Sequence, residues 1–278
     1  MFSVCYNHDM DVGQIFKEVS KVDKFSYKKV AGITALSASL SDFKYKKHYH
    51  QEYAIGVTLR GIQHYYLDGS LQLSYPKGVM LFNPEQPHDG MAHDESGLDY
   101  MMLYIDPQLL LDASHKKDIV LFREPVVYDD QLGQEVLSLA SAIFNEKDEA
   151  LCSELLLSLT DSLIQTNPSE VQKDITLIRK AKEMLHSDLG NVLKLDEISK
   201  ELNLSKFQFI RMFKSHTGIT PYQYFLTCKI ERAKELLDKN RDIYATVAEC
   251  DFVDLTHLNK HFKKIYGITA YEYMLQLN

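Results

Sequence analysis

The sequence lacks the features that would carry it out of a cell or hold it in a membrane. It opens on MFSVCYNHDMDVG, with no basic segment ahead of an apolar one, and no run of about 18 uninterrupted apolar residues follows. A cytoplasmic protein without a membrane partner is therefore expected. Cysteine is sparse, and Cys5, Cys152, Cys228 and Cys250 stand too far apart for a disulfide framework or a cysteine-ligated zinc site. Reduced, partly buried thiols are expected instead. No G-x-x-x-x-G-K-[ST] loop and no nucleophile-base constellation is present, so the residues speak against an enzyme.

What is present suits a globular protein of two domains. A length of 278 residues exceeds the usual single-domain size of roughly 100 to 200. Hydrophobic residues at 45% and charged residues at 25% leave apolar surface for a core in each half. The net charge of -8 argues against a nucleic-acid partner until it is divided along the chain. Residues 1–169 carry 14 Lys and Arg against 24 Asp and Glu, whereas residues 170–278 carry 17 against 15. Only the second half can approach a phosphate backbone without strong repulsion.

From Phe25 to Ile105 the chain is rich in Tyr, Val, Ile and Leu, broken by turn residues such as Gly61, Asp68-Gly69, Pro76, Gly78 and Pro84. That punctuation predicts strands. From Gln131 to Gln165, Leu132, Val136, Leu139 and Ile143, then Leu151, Leu155, Leu159 and Leu163, recur at helical steps and predict a helical pair. The polar Thr166-Asn167-Pro168-Ser169 marks the boundary, dividing the chain into domains 1–167 and 168–278.

Beyond the boundary everything reads as helix, and the segment repeats itself. A shift of 48 lays Leu195 on Ile243, Ser199 on Val247, Leu202 on Cys250 and Asn203 on Asp251. A shift of 49 then lays Ser205 on Asp254, Phe209 on Leu258, Phe213 on Phe262 and Gly218-Ile219-Thr220 on Gly267-Ile268-Thr269. Each unit has a helix, a turn at Asn203 or Asp251, and a second helix opened by Ser205 or Asp254. Asn and Asp tolerate the left-handed conformation such a turn needs, and Ser and Asp cap helix N-termini. This is helix-turn-helix chemistry.

In the second helix of the first unit Phe209, Met212 and Phe213 form an apolar face, leaving Lys206, Phe207, Ile210, Arg211 and Lys214 outward. In the second unit Leu258, Phe262 and Ile265 pack inward, while Thr256, Asn259, Lys260 and Lys263 look out. Such faces supply donors for base edges and phosphates, although a basic helix face is more often only a solvated one. Duplication favours reading, because a connecting helix from about Tyr222 to Leu237 can set two readers one DNA turn apart.

Residues 170–278 resemble the DNA-binding domain of the AraC/XylS family of bacterial transcription activators. The motifs are LDEISKELNLSKFQFIRMFK from Leu195, GITPYQY, KIERAKELL, and THLNKHFKKIYGIT from Thr256. The resemblance assigns base contacts to Lys206, Phe207, Ile210 and Arg211, and to Thr256, Asn259 and Lys260. Two departures stand out: Asp251 replaces a usual Gly-Phe turn, and Lys260 stands where Arg is common. Lysine lacks the planar two-point bond to guanine. The resemblance implies a double-stranded DNA operator, a small-molecule effector, a homodimer and, for an activator, RNA polymerase as partners.

Residues 25–105, with HYHQEYAIGV from His48 and YPKGVMLFNPEQPHDG from Tyr75, resemble the cupin-type sensor domain often attached to this family. An α+β protein follows: a cupin-like β-barrel with a helical hairpin, then an all-α domain with two helix-turn-helix units joined by a linker helix. His48, His50, His64, Tyr66, His88 and Tyr104 are the candidate effector-binding residues. On a strand His48, His50 and Glu52 share one face. With His88 the histidines offer a metal site, but Glu52 is out of the cupin pattern, so pocket lining or hydrogen-bonded bracing is the reading adopted and no metal or cofactor is assigned. The alternative is a metal-dependent cupin enzyme with a helical appendage. The leucines of residues 133–165 exceed what a small barrel needs, so part of that face is expected to pair with a second subunit.

Overall fold

Short-range signals set the strands. In the computed structural model, which describes residues 22–114, 121–146, 148–166, 176–187, 189–191 and 193–277, Asp68 and Gly69 take φ of 49° and 81°. Positive φ at both positions is what a two-residue hairpin turn requires. They join β5 (Gln63–Leu67) to β6 (Ser70–Ser74), and Ala31-Gly32 likewise joins β1 (Lys24–Val30) to β2 (Ile33–Leu40). The others are β3 (Lys44–His48), β4 (Tyr53–Arg60), β7 (Val79–Phe82), β8 (His88–Ala92), β9 (Leu98–Ile105) and the short β10 (Val126–Val127), which was not expected. One sheet runs β1-β2-β9-β4-β7-β10 and the other β3-β8-β5-β6.

Side chains of the six-stranded sheet alternate between two cores, as a period of two demands. Leu36, Ala38, Ala54, Met80, Phe82, Tyr100, Met102 and Tyr104 point into the barrel. Ile33, Ala35, Ile55, Val79, Leu81, Met101 and Leu103 point the other way, onto helices. These are α1 (Pro107–Ser114), α2 (Asp130–Ser141), continued by a π-helical turn over Ala142–Glu146, and α3 (Glu149–Thr166). Leu132, Val136, Leu139, Ile143, Leu159 and Leu163 are buried in that layer, with Leu151 and Leu155 packed at its margin. The expected surplus of leucine is therefore largely consumed within the chain, because the outer face of the sheet is broad enough to cover it. Leu157, at 47% exposure, is what remains outside.

Cys152, Cys228 and Cys250 are buried free thiols; Cys5 lies outside the described residues, as do positions 167–169 of the expected boundary. The second half is helical throughout: α4 (Thr176–His186), α5 (Leu195–Glu201), α6 (Lys206–Thr217), α7 (Pro221–Asn240), α8 (Ile243–Glu249), α9 (Leu255–Tyr266) and α10 (Ala270–Gln276). The repeat is visible in the backbone. Asn203 and Asp251 take φ of 55° and 49°, and Lys229 of α7 ties down the Asp251 turn by donating to its backbone oxygen at 3.2 Å. Ser205 Oγ accepts from Gln208 N, and Asp254 Oδ1 accepts from His257 N. Gly218 and Gly267 end α6 and α9 in the left-handed region, and Thr220 and Thr269 open the next helices with capping boxes.

The two halves share a core. Barrel-interior residues form one apolar cluster with Ile230, Ala233 and Leu237 of α7, Phe252, Leu258 and Phe262 of the second unit, and Tyr266 and Tyr273. Phe25 of β1 packs so tightly on Gly267 that a Cβ there would lie 2.3 Å from its ring, whereas Gly218 faces only the flexible end of Lys47. Gly218→Ala should therefore cost about 1 to 2 kcal/mol, the backbone penalty alone. Gly267→Ala should cost about 2 to 4 kcal/mol, because overpacking adds to it. Urea unfolding measures both, and introducing Phe25→Ala should recover the excess at Gly267 only.

Candidate nucleic-acid interface and barrel site

The helix-turn-helix geometry fixes which side chains face outward. On α6, Phe207 is 70% exposed, Arg211 and Lys214 are exposed, and Ile210 is half-buried. Arg211 Nε donates to Phe207 O at 3.3 Å, and Lys206 Nζ meets Asp196 Oδ2 at 2.8 Å. On α9, Thr256, Lys260 and Lys263 are exposed, and Asn259 is half-buried with Oδ1 accepting from Ala270 N at 3.0 Å. That bond leaves Asn259 its amide N–H donors. A two-point bond to adenine needs Oδ1 as well, so donation to guanine or thymine oxygens suits it better.

The barrel contributes to this basic surface, which sequence reading missed. Lys46 of β3 lies close enough to α9 to act, with Lys260, on Lys264, whose pKa is lowered by burial and then by these neighbours. His261 is pushed down to about 4, first by burial, then by Lys264, His257, Lys260 and Lys46. Like charges gathered along one helix make a surface that an anion would relieve.

Within the barrel, His48, His50, His88 and Tyr104 line one cavity, as expected, together with Tyr45, Ala54, Gln63, Phe82, Asp89, Tyr100 and Met102. His64 and Tyr66 do not join them. Gln63, Tyr65 and Leu67 take the inward positions of β5, leaving Tyr66 44% exposed and His64 packed at tilted angles against Tyr66 and His93 on the outer side. Alternation shows that the two share a face; it does not say which face is inside. The space enclosed by the cavity holds about one water molecule, far below the roughly 300 Å³ of an ordinary ligand site.

The cavity is lined by barrel residues alone, and the helical half packs beside it, against His50 and Tyr104. Glu231 of α7, 5% exposed, accepts from Tyr266 Oη at 2.7 Å and from His50 Nδ1 at 3.3 Å. Lys234, 4% exposed, pairs with Glu52. Burial would raise the Glu52 pKa, yet Lys234 and His50 hold it below the usual carboxylate range. Tyr27 Oη donates to Tyr266 O at 2.7 Å, and Lys29 pairs with Asp238. A second contact joins the first unit: Tyr49 stacks on Tyr224, and Glu85 accepts from Tyr224 Oη at 2.9 Å and pairs with Lys182 at 2.6 Å.

Residues 30–160 match the family model of the AraC-like ligand binding domain, and residues 198–276 match that of a helix-turn-helix domain. The chain belongs to the AraC-type transcription regulators. The uncharacterized helix-turn-helix regulator YbfI of Bacillus subtilis is 27% identical over 224 residues, covering 77% of this chain and 82% of its own. The MmsAB operon regulatory protein of Pseudomonas aeruginosa is 36% identical over 93 residues, 33% of this chain and 29% of its own. The fold resembles that of ToxT from Vibrio cholerae, seen with an unsaturated fatty acid bound: TM-score 0.60 at 13% identity, covering 93% of this chain and 98% of that one. No helix among the described residues is long and apolar enough to cross a membrane.

For an AraC-type protein the unexpected feature is the buried polar seam between the halves. Glu231 and Lys234 read as ordinary positions of the linker helix, and Tyr49 as one more strand tyrosine. Only His48, His50 and Glu52, spaced two apart, hinted that this stretch faces something polar.

The histidines give the seam a pH dependence. His48 and His88 are buried and held neutral, His88 down to about 3, by burial first and then by neighbouring imidazoles. Both take up a proton on unfolding below the ordinary value of 6.5, so stability is whole above that pH and drains as pH falls toward 3. The expected slope is about 1.4 kcal/mol per pH unit for each histidine. In urea titrations stepped from pH 7 to 5, His88→Gln should remove its share, and parallel slopes for variant and wild type would contradict this account.

Proposed function

We propose that this regulator reads its operator with α6 and α9 in successive major-groove segments, under the control of a small molecule acting at the barrel. Lys206, Phe207, Ile210 and Arg211 contact bases from the first unit, and Thr256, Asn259 and Lys260 from the second; Lys214 and Lys263 contact phosphates. The observation that carries this reading is the duplicated unit, with matching turn, N-cap and C-cap geometry and an outward face of donors on each second helix. Phe207 supplies apolar contact for a thymine methyl beside Arg211. Lys206 must exchange Asp196 for DNA.

The division of labour is 1–167 for sensing and 168–278 for DNA. ToxT, which shares the fold, has been seen with an unsaturated fatty acid, and a small effector is the matching expectation here. Because the barrel cavity holds about one water, an effector of any size has to displace the seam formed by Glu52, Glu231, Lys234 and Tyr266. An effector that binds only the opened form shifts the population toward it, which is all that coupling requires. The protein acts in the cytoplasm as a homodimer that includes the Leu157 side of α3 in its interface, and meets RNA polymerase at the promoter. It is a regulator and not an enzyme.

DNA fragments selected from random sequence provide the test. Arg211→Ala should weaken specific binding by about 1 to 3 kcal/mol and relax preference at one base position, whereas Lys263→Ala should reduce the salt slope by about one. Unchanged affinity and preference in Arg211→Ala would discard the assigned reading face. Sedimentation at micromolar concentration should give a dimer that Leu157→Glu dissociates; a wild-type monomer would discard the dimer.

A further inference from the structure

The three barrel histidines share an arrangement that pocket lining does not explain. His48 Nδ1 lies 2.6 Å from Lys46 O, His88 Nδ1 lies 2.8 Å from Gln86 O, and His50 Nδ1 faces the Glu231 carboxylate. All three partners are acceptors only, so each Nδ1 carries a proton and Nε2 is the nitrogen left for another partner. Yet His48 Nε2 and His50 Nε2 stand 3.0 Å apart, and His88 brings a ligand nitrogen within 4.8 Å of both. At that distance either one Nε2 donates to the other or both turn to a shared cation. A proton between them would satisfy that pair alone. Gln63, which is 5% exposed and lines the same cavity, has its Oε1 buried with no hydrogen-bond partner.

We propose that His48, His50 and His88 bind one first-row transition-metal dication through Nε2, with Gln63 beside it, and that Glu231 links this ion to the DNA-binding half. Nitrogens on a tetrahedral ion at about 2.0 to 2.1 Å stand about 3.3 Å apart, close to the spacing of His48 and His50. Neutral imidazoles select zinc, cobalt or nickel over magnesium and calcium. The cavity, with room for about one water, fits an ion better than a metabolite.

Glu231 gives the site a consequence beyond the barrel. A carboxylate accepting from the far nitrogen of a ligating histidine orients the ring and raises its basicity. Here that carboxylate sits on α7, between the two helix-turn-helix units, and also accepts from Tyr266 at the end of α9. An ion on His50 therefore strengthens the seam that holds the second unit against the barrel. The reverse follows by linkage: opening the seam weakens the ion's hold by the same factor.

The full chain, stripped with a chelator, is titrated with Co²⁺ and then Zn²⁺. We expect one equivalent of Co²⁺ with visible d–d absorption, displaced by Zn²⁺, and a Zn²⁺-dependent rise in melting temperature. His48→Ala and His88→Ala should each lower affinity at least 100-fold, Glu231→Gln about 10- to 100-fold, and His93→Ala not at all. A wild-type chain with neither absorption nor thermal shift overturns the site, whether or not the histidine variants fold. Equal affinity in wild type and Glu231→Gln overturns the link to the helical half. Arg211→Ala, which tests DNA reading, should leave the titration unchanged, so the two ideas fail separately.

Discussion

The docking of α7 and the second helix-turn-helix unit onto the barrel mouth governs the rest of the molecule. Tyr27, Tyr266 and Tyr273 bury their rings in one core drawn from both halves, while Glu231 and Lys234 are taken out of water among them and Glu52 is half-buried beside Lys234. Buried charges of this kind add little net stability when paired and are costly when a partner is lost. What they supply is selectivity of arrangement: the charges are paired in the docked form and would lose their partners in a partly opened one. The effector control proposed above would act by shifting the population away from this docked form.

The same junction explains an electrostatic oddity. The first half of the chain is acidic overall, yet β3, with Lys44, Lys46 and Lys47, lies beside the helical half and adds positive charge along the rim of α9. Docking thus places Lys46 next to Lys260 and Lys264. Repulsion there works against docking while the buried seam works for it, and a phosphate backbone would remove the repulsion.

Much of this was legible in the sequence, and the reason is range. Asn203 and Asp251 in left-handed turns, Ser205 and Asp254 as caps, and the Asp68-Gly69 turn all depend on neighbours within a few residues. Local stereochemistry therefore determined the strands, the helices and the outward faces of α6 and α9. Tertiary structure alone decided which face of β5 turns inward, placing Gln63 rather than His64 at the cavity. It also decided that the α2 and α3 leucines are spent on the chain's own sheet, and that His50 meets Glu231 across 181 residues of sequence. Periodicity sorts residues onto faces, but what each face meets depends on distant segments whose packing leaves no periodic mark on either partner.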